Sequence, residues 1–191
     1  METHTKIWTY ADLEAMDGDG KRYEILDGEL FEMSAPTARH QRLVGKLYLW
    51  FCAQLEETKI ARVYMSPLDV IMSPSRVVQP DVIVIRKERL SIVKERIEGA
   101  PDLVVEILSP SNTKHDRVTK RRFYARNGIR EYWIVDPEAQ SIEVLELIPD
   151  GLTYRAHGFY DTGDHDEFPS KARGATLPIE IVIDALFRED D

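Results

Sequence analysis

Glu106 stands as a lone acid among branched aliphatics in "PDLVVEILSPSN", residues 101–112. A strand covered on both faces reads as a continuous apolar run, and an ionised carboxylate inside it is costly unless something compensates the charge. Pairing with a cation, protonation and metal ligation are the available compensations. A second acid holds a comparable place: "QPDVIVI" sets Asp81 directly after Pro80, at the mouth of another apolar strand. Two carboxylates on neighbouring strands repel each other in a dry site, and a divalent cation relieves the repulsion. Mg2+ commonly sits on one or two carboxylates, keeps several waters and leaves room for a substrate phosphate. That is the arrangement of metal-assisted phosphodiester hydrolysis, in which the ion polarises the phosphate and helps make hydroxide. Each acid also has a plainer explanation: a buried salt bridge to a helix lysine for Glu106, and turn chemistry after proline for Asp81.

The elements that must position these acids are legible in outline. A short helix is expected at Tyr10 to Met16 behind Thr9. "RYEILDGELFEMS" alternates around Asp27-Gly28, which predicts a hairpin of strands near Arg22 to Leu26 and Glu29 to Ser34. From Ala38 to about Glu57, Leu43, Leu47, Trp50, Phe51 and Leu55 recur at helical spacing. Strand-like runs follow at Ala61 to Met65, Leu68 to Met72 and Val82 to Ile85, punctuated by Pro67, Pro74 and Pro80. After the strand at Leu103 to Leu108, a helix is expected from Thr113 to about Arg126, closed by Asn127-Gly128. "REYWIVD", "SIEVLELI" and "LTYRAHGFY" read as three strands, turned at Asp136-Pro137 and Asp150-Gly151, ahead of a terminal apolar element around Ile179 to Phe187. The order of elements indicates a mixed α/β or α+β fold.

At 191 residues the chain has room for one well-packed core, so a single domain is expected. The lone cysteine, Cys52, excludes an intramolecular disulfide and fits a reducing cytoplasm. No run approaches the ~18 apolar residues of a membrane span, and "METHTKIWTYADLEAM" lacks a signal-peptide core, so a cytoplasmic location without membrane contact is expected. A net charge of −9 argues against a general nucleic-acid coat. The charge is uneven, however. Residues 112–130 carry seven basic groups against Asp116 alone, whereas residues 161–191 carry nine acids and only Lys171, Arg173 and Arg188. The basic segment is a candidate phosphate-facing surface or a solvated helix face.

Taken together, Asp81 before its strand, "PDLVVEILSPSN", "DRVTKRRFYARNGIREYWIVDP", and "RYEILDGELFEMS" followed by His40 resemble the Uma-two group of restriction-endonuclease-like proteins, within the PD-(D/E)XK nuclease superfamily. The resemblance runs from about Tyr23 to Pro137. It implies a restriction-endonuclease-like core with a central mixed sheet flanked by helices over residues 37–137. An N-terminal helix and hairpin would occupy residues 1–36, and C-terminal strands with an acidic tail residues 138–191. It implies Asp81 and Glu106 as ligands of Mg2+ or Mn2+, with the Ile107 carbonyl as a further ligand and DNA as the substrate. The superfamily places a lysine two residues after the second acid, but here Leu108 stands there. The resemblance moves the lysine to the next helix, as Lys120. Helix rise and strand rise together allow a four-carbon stem to span from Lys120 back to Glu106.

Glu24 matches an early acid that such nucleases often carry, although alone it reads as an exposed hairpin residue. His40 is a candidate for phosphate contact or, more plainly, a cap or surface residue. Asp116 suits a capping box with Thr113 and an ion pair with Lys120. Arg121, Arg122 and Arg126 are candidates for duplex-backbone contacts, while Tyr124, Tyr132 and Trp133 read as core. A homodimer is expected, because cutting two strands is simplest with sites related by a two-fold axis. The rivals are a non-catalytic relative that binds DNA or a partner, and a small-molecule or sugar site lined by Trp133, Tyr154 and Phe159.

Overall fold

The computed structural model describes residues 6–16, 18, 20–109, 115–149, 151–163 and 170–188. Helix α1 (Tyr10–Ala15) follows Thr9, whose backbone N–H donates to the Asp12 carboxylate at 2.8 Å. Strands β1 (Arg22–Leu26) and β2 (Glu29–Met33) form the expected hairpin. Asp27 and Gly28 turn it with φ of 50° and 88°, the left-handed pair that matches strand twist. Helix α2 (Ala38–Phe51) begins at Thr37, whose hydroxyl accepts the His40 amide N–H, and runs on through a wider π-helical turn at Cys52–Glu56. Leu43, Leu47, Phe51 and Leu55 are buried as their spacing predicts, and Trp50 is half-buried.

Strands β3 (Ala61–Met65), β4 (Val70–Ser73), β5 (Arg76–Val78), β6 (Val82–Arg86), β7 (Ile97–Glu98) and β8 (Leu103–Ile107) follow. The expected strand at Leu68 to Met72 thus begins two residues later, and β5 and β7 were not foreseen. Runs of two or three residues are too short to express a period of two. The start of the helix expected at Thr113 lies outside the described residues; from His115 to Lys120 the chain forms a π-helical turn that leads into α3 (Arg121–Arg126). Gly128, at φ 76°, closes it. Strands β9 (Glu131–Asp136), β10 (Ser141–Leu147), β11 (Tyr154–Asp161), β12 (Lys171–Arg173) and β13 (Glu180–Val182) and helix α4 (Ile183–Phe187) complete the chain.

The central sheet has six strands in the order β11-β10-β9-β8-β6-β3. Only β8 and β9 run parallel, joined over α3. A second, five-stranded sheet has the order β2-β1-β5-β4-β7, and β12 pairs with β13 alone. The fold is therefore mixed α+β with sheets of mixed orientation. One apolar core joins α2, α4 and β12–β13 to one face of the central sheet, through Leu47, Phe51, Val105 and Trp133 among others. The other core joins the second sheet and α3 to the opposite face, through Leu26, Val78, Ile83, Val104 and Phe123. Both faces of β8 are thereby covered, which is why it reads as an apolar run.

Glu131 shows how this fold satisfies a buried acid by hydrogen bonds alone. Its side chain is inaccessible and accepts from Trp133 Nε1 at 2.6 Å, the amides of Ala175 and Thr176 at 2.9 and 2.8 Å, and the Thr176 hydroxyl at 2.7 Å. The carboxylate ties the segment before β13 to the central sheet. Glu131→Ala strands several donors and is expected to cost about 2–4 kcal/mol in urea unfolding; a loss under about 0.5 kcal/mol, the size of an ordinary surface change, contradicts this role.

Candidate active site

The pairing of β6 with β8 sets Val82 opposite Val105, so the next step of that register puts Asp81 opposite Glu106 at the end of the sheet. Asp81 Oδ2 accepts the Ile107 amide N–H at 2.8 Å and lies 3.1 Å from His40 Nε2. By the strand period Glu106 shares a face with Val104 and Leu108, toward the second sheet and α3. Its Oε1 accepts from Lys120 Nζ at 2.9 Å and from the Tyr124 hydroxyl. Lys120 closes the π-helical turn and Tyr124 lies one turn further on, so one helical face supplies both donors. His115, at the start of that turn, rests its ring against Phe31 of β2 with 4.7 Å between centroids and docks the segment on the hairpin.

Lys120 is fully buried, which a cation tolerates only among anions. Its Nζ is 3.0 and 2.9 Å from the two oxygens of Glu24 and 3.9 Å from Asp116, besides the contact with Glu106. Burial pulls the Lys120 pKa down, but the charges of Glu106, Glu24 and Asp116 outweigh it and hold it above its usual value. The amine is therefore an ammonium at neutral pH. Glu24 comes from β1 and is inaccessible; its Oε1 also accepts the Gln79 amide N–H at 2.8 Å.

Three carboxylates, Glu24, Glu106 and Asp116, are thus buried around one lysine, and a fourth, Asp81, is buried beside His40. His40 is the further cation at the site. Burial lowers its pKa, yet its hydrogen bond to Asp81 and the Asp81 charge leave it raised on balance. Even with both cations charged, formal negative charge remains in excess. Burial, against the pull of Lys120, holds Glu106 well above the usual carboxylate range and takes Asp116 up to about 6.

The Asp116 shift has a definite sign. A folded-state pKa above the unfolded value gives stability that is fully present below about pH 4 and lost as pH rises through about 6. In metal-free protein, Asp116→Asn is expected to gain on the native chain by about 2–3 kcal/mol between pH 4 and 7.5, read from urea midpoints. A native-minus-variant difference that stays flat with pH contradicts it.

The structure brings together Asp81, Glu106, Ile107, Lys120, Glu24 and His40. Glu24 and His40 differ most from what their local sequence suggests: the hairpin acid is buried on Lys120, and the histidine near the start of α2 faces Asp81. Arg121, Arg122 and Arg126 are not part of this group. Arg121 turns toward Glu143 at 3.6 Å, and Arg122 and Arg126 are exposed on the face of α3 away from Lys120 and Tyr124. Tyr124, legible only as core, supplies a hydroxyl to Glu106; no sequence signal distinguishes it from a packing tyrosine. Thr113, the capping-box partner expected for Asp116, lies outside the described residues. The aromatic site envisaged on the late strands does not form among the described residues: Trp133 packs in the α2-side core, Tyr154 in the opposite one, and Phe159 is 61% exposed.

The donor set at the sheet end suits a hard divalent cation, since carboxylates and a carbonyl are oxygen ligands. Among the described residues no three His, Cys, Asp or Glu side chains are grouped closely enough to hold an ion by themselves. An ion at this place would need further ligands from the backbone, water or substrate, as Mg2+ commonly does. Among the described residues no helix is long and apolar enough to cross a membrane.

A sequence profile for the Uma2 family, described as "Putative restriction endonuclease", matches residues 9–180. A Synechocystis sp. protein described as uncharacterized is 27% identical over 167 residues, covering 85% of this chain and 83% of that one. A crystal structure from Anabaena variabilis ATCC 29413, described as "a putative nuclease", superposes with a TM-score of 0.75 at 17% identity and covers 94% of this chain and 97% of that one.

Proposed function

The chain belongs to the Uma2 family of restriction-endonuclease-like proteins, and from that membership and the buried acid cluster we propose that it is a metal-dependent endonuclease that hydrolyses DNA phosphodiesters. The observation that carries this is the excess of buried acid: three inaccessible or nearly inaccessible carboxylates around Lys120, with Asp81 buried beside His40. A structural salt bridge needs one acid for one lysine; the surplus is relieved by protonation, which burial favours for Glu106 and Asp116, or by a further cation, as we propose.

Asp81, Glu106 and the Ile107 carbonyl are the residues that would hold Mg2+ or Mn2+, which when bound neutralises charge and polarises the scissile phosphate. The chain's own groups do the rest. Lys120 orients the attacking water and stabilises charge developing on the phosphate, a role that depends on positioning in a site closed to bulk solvent. Glu24 fixes the ammonium from one side and Glu106 from the other. The Tyr124 hydroxyl holds Glu106 in its rotamer, and His40 orients Asp81. A homodimer related by a two-fold axis presents two such sites to the two strands of a duplex.

One observation favours a non-catalytic relative as the second reading: Glu106 Oε1 already receives two donors, as in a purely structural ion pair. Incubation of supercoiled plasmid with the protein separates the two. Nicked or linear product with Mg2+ or Mn2+, abolished by a chelator, supports the nuclease. Intact plasmid across both metals leaves the non-catalytic relative.

A further inference from the structure

The basic run before β9 is the obvious place to seek nucleic-acid contacts in the sequence, but its charges are largely engaged or turned away. Arg117 pairs with Asp136 at 2.9 Å and Glu143 at 3.2 Å, and Arg121 faces Glu143. A different set of cations lies on α2, the helix that carries His40. Arg39, Arg42 and Lys46 recur on α2 at spacings of three and four, which aligns them on one face beginning one residue before His40. With Arg188 they line a cleft of about 320 Å³, floored by Leu43, Leu186 and Phe187.

We propose that this face of α2, completed by Arg188, is the surface that grips the DNA backbone and leads it to the acid cluster. The inference rests on the nuclease reading and adds the surface through which its substrate binds. Position is the first support, because His40 of the same helix is in contact with Asp81. From Arg39 to Lys46 the stripe rises about 10 Å, the axial rise of about three phosphates on one strand.

The second support is charge. In a chain of net charge −9, four cations gather at one cleft. Burial and the neighbouring charges of Arg42 and Arg188 hold the Lys46 ammonium below its usual pKa, as expected where cations crowd. The Arg22 charge also reaches His40, and its guanidinium donates to the Ser34 carbonyl at 3.1 Å.

Some of these cations also have structural duties, and that shapes the test. Lys46 caps carbonyls of Leu186 and Arg188 at 3.4 and 2.7 Å, and Arg39 pairs with Glu138 at 2.8 Å and with the Pro137 carbonyl at 2.7 Å. Of these contacts the Arg39–Glu138 ion pair is exposed, and exposed pairs contribute little to stability. Arg42 is exposed to solvent.

The experiment is fluorescence anisotropy of a labelled 20-base-pair duplex titrated with full-length Asp81→Asn protein over a series of KCl concentrations. Adding Arg42→Ala, Lys46→Ala and Arg188→Ala is expected to weaken binding at least about 10-fold and to reduce the slope of log affinity on log salt by about 2–3. Adding Arg122→Ala and Arg126→Ala instead is expected to change affinity less than about 2-fold. Arg42→Glu alone serves as the check if the triple variant is poorly folded, and it too must weaken binding. Affinity and slope equal to the Asp81→Asn parent in the α2 variants overturn the α2 surface while leaving the nuclease intact. Failure of the parent itself to bind duplex overturns both.

Discussion

Lys120→Met is expected to destabilise the protein by about 3–5 kcal/mol at pH 8, the cost of removing one partner from a buried ionic cluster. The methionine fills much of the space of the lysine stem, so packing is not the cause. What remains is a group of carboxylates, Glu24, Glu106 and Asp116, buried with no neutralising ammonium among them. The loss is expected to shrink toward pH 5, because Glu106 and Asp116, raised by burial, lose the opposing pull of Lys120 and take up protons. Glu106→Gln in the same chain is expected to recover part of the loss at pH 8, a coupling that a double-mutant cycle in urea reads directly. Equal destabilisation at both pH values, or no recovery in the double variant, contradicts the placement of Lys120 as the counter-ion of these acids. Plasmid cleavage by Lys120→Met, measured where the variant is folded, is expected to be lost.

Asp81→Asn and Glu106→Gln carry the second large effect, and it lies in activity. Each removes one of two carboxylates from the proposed metal site, and cleavage is expected to fall by at least about 100-fold. Stability is expected to move the other way or hardly at all. Glu106 is held well above the usual carboxylate range by its burial, so a neutral amide replaces a group that resists ionisation. In Glu106→Gln the ammonium of Lys120 keeps Glu24 at hydrogen-bond distance. The expected change in metal-free stability is therefore within about 1 kcal/mol. A variant that folds as the native chain and cuts as fast contradicts the role given to its acid. A variant that instead loses several kcal/mol without metal marks a structural acid, as Glu131 is.

Glu106 and Asp81 were legible because each breaks an apolar pattern at a strand, and their register across β6 and β8 sets them opposite each other. The hairpin, α2 and the late strands were legible from turn chemistry and period. Lys120 was reachable only through the family resemblance, since in a basic run one lysine looks like the next. Glu24 was hidden for a tertiary reason. An alternating hairpin normally leaves one face to solvent, but here α3 and the central sheet cover the face of β1 that carries it. Tyr124 was hidden because a hydroxyl's partner lies across the fold. The density of charge in residues 112–130 drew attention to α3, while the cations of α2 were spread among apolar residues and showed their alignment only on the helix.

Calorimetric titration of Mn2+ into native protein and Glu106→Gln, with plasmid cleavage followed in the same buffer, tests the central claim most directly. The account predicts that native protein binds the ion and cuts, and that Glu106→Gln, with an unchanged fold, does neither. Native protein that takes up no Mn2+ and leaves plasmid intact, while Glu106→Gln alters only the unfolding midpoint, contradicts it and leaves Glu106 as one half of a structural ion pair.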